Sequence, residues 1–138
     1  MTFATAPRAV VVDASVAVEV LIANSTWLDR WTRWLIEQAV LLSPTHFTAE
    51  VANALLLGHR LPGARVRALL DRLAASGLET TDRGLGGVFE AIDLAEEHGL
   101  TVYDALYLQL ALDVDGELAT LDKDLIRAAA AEGITVTD

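Results

Sequence analysis

Residues 9–12 read Ala-Val-Val-Val and stop at Asp13. A β-branched run without polar alternation describes a strand covered on both faces, as strands of parallel sheets are. Short apolar runs return at 40–42, 78–81, 118–120 and 134–137, and helical patterns fill the intervals between them. Parallel neighbours need such crossovers, so strands alternating with helices predict an α/β domain: a central, mostly parallel sheet with helices on both faces. The helices are expected at 16–23, 27–38, 43–60, 65–76, 88–98, from just before Asp104 to 112, and 122–131. Ser15 reads as the cap of the first. Ser43-Pro44 reads as the start of the third, proline being tolerated in a first turn. Gly77 and Gly99 read as helix stops, and 82–87, containing RGLGG at 83–87, as a glycine-rich connector.

The chain has 138 residues, enough for one domain with a substantial core, and no linker, repeat or low-complexity tract divides it. A single domain over 1–138 is the expectation. Hydrophobic residues make up 53%, and the mean hydropathy is +0.38, so either the core is generous or a partner covers apolar surface. Asp13 and Glu19 interrupt the best membrane-spanning candidate. The opening MTFATAPR lacks the charged and apolar regions of a secretory leader. With no cysteine, disulfides and thiolate metal sites are excluded. A cytoplasmic protein without a membrane anchor is expected.

Four acids stand in apolar settings: Asp13 in VVVDAS, Glu50 in HFTAEVANAL, Asp104 in TVYDALYLQLAL and Asp122 in ELATLDKDL. Each has a bland account. Asp13 and Asp122 could cap helices, and Asp104 could be a first-turn acid favoured by the helix dipole. Glu50, between Ala49 and Val51 and well inside the expected third helix, is harder to dismiss. Sites in open parallel sheets form beyond the carboxyl ends of strands. Asp13 and Asp122 follow two strands directly, and Glu50 and Asp104 lie near the starts of helices. Carboxylates converging there would repel one another unless cations compensated, which points to magnesium or manganese and to metal-assisted cleavage of a phosphate ester.

Strand-ending VVVDAS, then AEVANAL, YDALYLQLA and ATLDKDL, in this order and within this length, resemble the PIN-domain ribonucleases. The likeness is to the toxin component of VapBC toxin–antitoxin pairs in particular, and it runs from residue 10 to the terminal GITVTD. It implies a three-layer α/β/α PIN-like domain and an Mg2+- or Mn2+-dependent endoribonuclease acting as a toxin. It also implies that Asp13, Glu50, Asp104 and Asp122 form the catalytic metal site, with Ser15 and Thr120 supporting it through their hydroxyls and Asp124 assisting Asp122. The partners implied are an RNA substrate, a VapB-like antitoxin and a second copy in a homodimer. The net charge of −10 offers RNA no general attraction, so its binding must be local.

Two other classes compete. A phosphoryl-transfer domain fits less well: a haloacid-dehalogenase phosphatase resembles a DxD pair after the first strand, where residue 15 is serine, and a receiver needs further acids beside Asp13. A catalytically silent PIN-like binding module has no positive support while all four acids are present.

The remaining features have ordinary readings. Trp27, Trp31 and Trp34 share one helix face. Core packing is slightly favoured over a partner surface. His46 shares a face with Glu50 but is left outside the ligand set. His59 and His98 compensate helix ends. Ten basic residues, nine of them arginine, include the cluster Arg60, Arg65, Arg67 and Arg72, which reads as solvated surface.

Overall fold

The computed structural model describes residues 7–137. The opening MTFATA, part of the segment read as unlike a leader, and Asp138 lie outside the described residues. Five parallel strands form one sheet in the order β3-β2-β1-β4-β5, where β1 is Ala9–Val12, β2 Val40–Pro44, β3 Glu79–Thr81, β4 Glu117–Ala119 and β5 Val136–Thr137. The valine run is the central strand, with Val10, Val11 and Val12 wholly buried. Its register sets Val11 opposite Leu42 on one side and Leu118 on the other. The sheet is parallel throughout the described residues.

The chain forms a three-layer α/β/α structure with seven α-helices among the described residues. On one side α5 (Gly84–His98), α6 (Val102–Val114) and α7 (Lys123–Ala131) pack together, with α6 against β1, β2 and β4. The other group is α1 (Ala14–Leu21), α2 (Ser25–Ile36), α3 (Phe47–Asn53) and α4 (Gly63–Ala74). Asn24 caps α2 by accepting a bond from Trp27 N at 3.3 Å. That helix turns Trp27, Trp31 and Trp34 into the core, with the Trp31 and Trp34 ring centroids 6.0 Å apart. The tryptophan stripe is therefore packing, and a buried tryptophan is worth roughly 3–5 kcal/mol against alanine. Gly116 lets the turn before β4 pass the start of β1, since a Cβ there would lie 2.8 Å from Ala9 O. None of the described helices is long and apolar enough to cross a membrane.

Several local expectations are corrected. Ser43 and Pro44 belong to β2 rather than to a helix. Ser43 Oγ donates to Val12 O at 2.6 Å, which ties β2 to β1, and a proline ending a strand gives up no interior ladder bond. The helix after it is short: α3 runs into a π-helical turn at Ala54–Gly58. Glu50 therefore sits in a first turn, not well inside a helix. Residues 84–87 begin α5 rather than forming a connector. Asp82 Oδ1 accepts from Gly84 N at 2.7 Å, and Gly84 takes a φ of +64° that glycine adopts without strain. Ser15 lies inside α1, whose cap position is Asp13.

Candidate active site

The carboxyl ends of β1 and β4 lie side by side because their ladder continues one step further, from Asp13 N to Ala119 O at 2.9 Å. That bond sets Asp13 against Thr120, across 107 positions of sequence. Ser15 Oγ and Thr120 Oγ1 both donate to Asp13 Oδ2, at 2.6 and 2.8 Å. Each hydroxyl is aimed by a backbone amide: Leu121 N donates to Ser15 Oγ and Asp122 N to Thr120 Oγ1, both at 3.0 Å. One carboxylate oxygen is thus clamped by a relay of four donors, and Ser15 acts as part of this clamp rather than as a cap.

The other acids arrive from three helices. Asp122 stands at the cap position of α7, where Oδ1 accepts from Leu125 N at 2.9 Å. Asp104 lies in the first turn of α6, its backbone N donating to the capping Thr101 Oγ1 at 3.1 Å. Glu50 comes from α3 and accepts from Tyr107 OH at 2.9 Å. Asp13, Glu50, Asp104 and Asp122 line one open pocket of about 420 Å3, together with Ala14, Ser15, Ala54 and Leu121. The capping accounts of Asp122 and Asp104 hold as far as local geometry goes, but they do not explain why both face two further acids. Asp124 is not brought into this pocket. It is exposed, 3.5 Å from Arg127.

The electrostatics follow from this convergence. Asp104 is pushed up to about 6, first by burial and then by the charges of Asp122, Asp13 and Glu50. Burial also raises Asp13, opposed by the Ser15 and Thr120 bonds and reinforced by Glu50. Tyr107 is raised by burial and by the charges of Asp13 and Glu50, so it remains a hydrogen donor to Glu50. Three carboxylates within reach of a fourth, with no cationic side chain among the pocket residues, form a set of hard oxygens in need of positive charge. They are nonetheless not clenched: no three of them have oxygens all within 4.8 Å, a spacing that Glu97, His98 and Glu132 alone reach among the described residues. That room suits a hydrated ion, which keeps several waters and takes few direct protein ligands.

Two neighbours of Glu50 were not among the expected site residues. Tyr107 lies one helical turn beyond Asp104, a spacing visible in YDALY. His46 Nε2 is 2.8 Å from Glu50 Oε1, yet the alignment makes no hydrogen bond and leaves that buried nitrogen unpartnered. The imidazole is held by rings, with Tyr103 at 5.5 Å and Tyr107 at 5.2 Å between centroids.

Comparison with known proteins bears on the family and the fold. A family model described as PIN domain matches residues 10–131. A 36-residue segment is 53% identical to Ribonuclease VapC3 of Pyrobaculum aerophilum; it covers 26% of this chain and 28% of that protein, so the match spans little more than a quarter of the relative's length. Among solved structures, PAE2754 from Pyrobaculum aerophilum superposes with a TM-score of 0.70 at 25% identity, over 94% of this chain and 89% of the other. FitAcB from Neisseria gonorrhoeae superposes with a TM-score of 0.63 over 94% and 96%, and at 20% identity that likeness speaks for the fold alone.

Proposed function

The chain belongs to the PIN-domain family, and from that premise we propose that it is a metal-dependent endoribonuclease, the toxin of a type II toxin–antitoxin pair. The observation that carries this reading is the meeting of four carboxylates, from four separate segments, in one pocket. The name of the partial relative, Ribonuclease VapC3, supports the substrate class.

In this reading Asp13, Glu50, Asp104 and Asp122 hold Mg2+ or Mn2+. Such an ion, when bound, supplies an activated water and neutralises charge developing on the phosphate and the leaving oxygen. The chain's own contribution is placement. Ser15 and Thr120 fix the rotamer of Asp13 by loading one of its oxygens with two donors. Tyr107 does the same for Glu50. Outer partners of this kind are worth about 10–100-fold in metal affinity or activity. Asp104, raised to about 6, holds its proton to a higher pH than a free carboxyl, and positive charge entering the pocket favours its ionised form. No side chain has to act as a nucleophile. Asp124 stands outside the machinery.

The substrate approaches an acidic surface, so contact is local and the cation itself provides the attraction. The partners in this reading are a VapB-like antitoxin and a second copy of the chain. Leu56 and Leu57, exposed just beyond Ala54 at the pocket wall, and exposed Leu121 give an antitoxin apolar surface beside the mouth.

The test is cleavage of RNA by the purified chain with Mg2+ or Mn2+, alongside Asp104→Asn, with folding followed by circular dichroism. Cleavage that vanishes in chelator and in the variant supports the assignment. Full activity in either condition overturns it.

A further inference from the structure

A second cavity, of about 460 Å3, opens beside the acidic pocket. It lies beyond the carboxyl ends of β2 and β3, its rim including Pro44 and Thr81, which are partners in the ladder. The acidic pocket lies beyond the ends of β1 and β4. The strand order β3-β2-β1-β4 therefore sets the two depressions next to each other along one edge of the sheet. The partition between them is His46: it lines the cavity on one side and approaches Glu50 to 2.8 Å on the other. Tyr103, adjacent to Asp104 in the chain, is 64% exposed and leans on the same imidazole.

We propose that this cavity is a nucleobase subsite, receiving the base next to the phosphate held at the acidic pocket and so selecting where an RNA is cut. The proposal rests on the nuclease reading and adds the part of the substrate that reading leaves unassigned. Three observations carry it. The first is chemical: Pro44, Val88, Leu106 and Leu110 give apolar walls for the faces of a ring, and the volume lies in the range of about 300–1,000 Å3 typical of small-molecule sites. The second is position, since a strand running along the sheet edge crosses from one depression to the other over His46. Exposed Tyr103, in tilted contact with that imidazole, offers a platform for a neighbouring base, the usual device for holding unpaired nucleotides.

The third is the polar inventory: beside His46 and the Thr45 and Thr81 hydroxyls, which serve as donor or acceptor, it holds two acids, one paired cation and one amide, so acceptors predominate. Asp82 and Asp113 line the cavity. Arg83, the cation there, is engaged by Glu90 and by Asp113 at 2.9 Å. Gln109 spends its amide nitrogen on Gly87 O at 2.8 Å and Glu90 at 3.1 Å, which leaves its carbonyl oxygen as a further acceptor. Acceptors at the end of an apolar slot select bases that carry an exocyclic amino group. Adenine, cytosine and guanine qualify, and uracil does not. Uracil offers only N3–H, flanked by two carbonyl oxygens that the carboxylates would repel.

The experiment titrates AMP, CMP, GMP, UMP and ribose 5-phosphate into the full chain in the presence of Mg2+, followed by two-dimensional amide NMR. At least one amino-bearing nucleotide should bind about ten-fold more tightly than both UMP and ribose 5-phosphate, the scale of one good set of base contacts. Val88→Trp and Leu110→Trp, each filling the cavity, should erase that margin while leaving ribose 5-phosphate affinity unchanged. Two fillings from different helices guard against one failing to fold. Mapping RNA cut sites in the same variants should show the base preference beside the cut lost. Equal binding of all five ligands, or a preference that survives both fillings, overturns the proposal. The two readings fail separately: wild-type chain that cleaves RNA without base preference sinks the subsite alone. Selective nucleotide binding by a chain that never cleaves sinks the nuclease reading and leaves the subsite standing.

Discussion

Two clusters of acids in this chain invite opposite conclusions from the same distance criterion. Glu97, His98 and Glu132 bring three ligand atoms within 4.8 Å, which no three of the pocket carboxylates achieve. Yet the tighter cluster has the simpler explanation. His98 Nε2 is bonded to Glu132 Oε1 at 2.7 Å, Glu97 stands 3.9 Å off, and the Arg127 guanidinium donates to His98 O at 3.1 Å. Its atoms are close because they already satisfy one another, and the contact staples the end of α5 to the end of α7. The four acids of the pocket are further apart because nothing between them is positive, and the strain is visible in Asp104, raised to about 6 partly by three like charges. Proximity marks a satisfied interaction; separation, with Asp13 and Asp104 held above the ordinary carboxylate range, marks a place that would suit a cation.

The largest effect that would break this contrast is on chemistry. Asp104→Asn keeps the shape of the side chain and its helix cap but removes one of the four charges. Cleavage of RNA with Mg2+ should fall by about 10²–10³-fold in kcat, the scale of losing one preorganised electrostatic group. A variant within about two-fold of wild type would mean that the pocket's charge is incidental. Next in size is Thr120→Val, nearly isosteric, which takes one donor from Asp13 Oδ2 and the acceptor from Asp122 N. Metal affinity should weaken about 10–100-fold, with a stability loss of about 1 kcal/mol for the orphaned amide. Unchanged Mn2+ affinity by calorimetry would show that Asp13 needs no clamp.

The acids that meet in the pocket stand out in the sequence more clearly than the local elements that frame them. Asp13 was legible because a run of valines can hardly continue into an acid without a reason, and Asp122 because it follows a strand and opens a helix. Ser15 and Thr120 entered as site residues only through the family resemblance, Ser15 reading locally as a helix cap. That both load the same oxygen of Asp13 depends on the β1–β4 ladder, which no local pattern encodes. The misread segments are places where tertiary bonding overrode a local signal. Ser43-Pro44 carries a helix-start pattern, but the Ser43 bond to Val12 O and the pairing of Pro44 with Thr81 keep it in the sheet. RGLGG looks flexible, yet it opens α5, with Gly84 in the left-handed region and Gly87 buried where a Cβ would lie 3.1 Å from Arg83 Cβ. The cavity beyond β2 was invisible because its walls come from three regions far apart in the chain, 44–46, 81–88 and 106–114.

A smaller effect concerns pH and needs no substrate. In metal-free protein Asp104 has a folded value of about 6 against an ordinary 3.8. A raised acid favours folding when protonated, so its contribution is fully present below 3.8 and is lost as pH climbs through about 6. The thermal midpoint of wild type minus that of Asp104→Asn should therefore become more favourable as pH drops from 7 towards 4. Saturating Mn2+ should flatten that dependence, because a bound cation stabilises the ionised form. A difference that is level from pH 7 to 4 without metal would remove the charge repulsion on which the contrast rests.

The smallest effect tests the other cluster, and it is the sharper control because it predicts silence in the assay where the pocket variants speak. Glu132→Gln leaves a neutral amide beside His98, which is 9% exposed against 26% for Glu132. Losing one partly buried, charge-assisted contact should cost about 1 kcal/mol, a fall of roughly 3–5 °C in the thermal midpoint for a chain of this size. RNA cleavage and Mn2+ affinity should not change, since nothing in the staple touches the pocket residues. Zn2+ added to wild type supplies the decisive arm. A staple already satisfied by hydrogen bonding gains little from the ion, so the midpoint should stay put. Should Zn2+ raise the midpoint of wild type by several degrees and leave Glu132→Gln unmoved, the compact cluster would be a metal site after all. Satisfied contact and unmet charge could then no longer be told apart by how closely the acids stand.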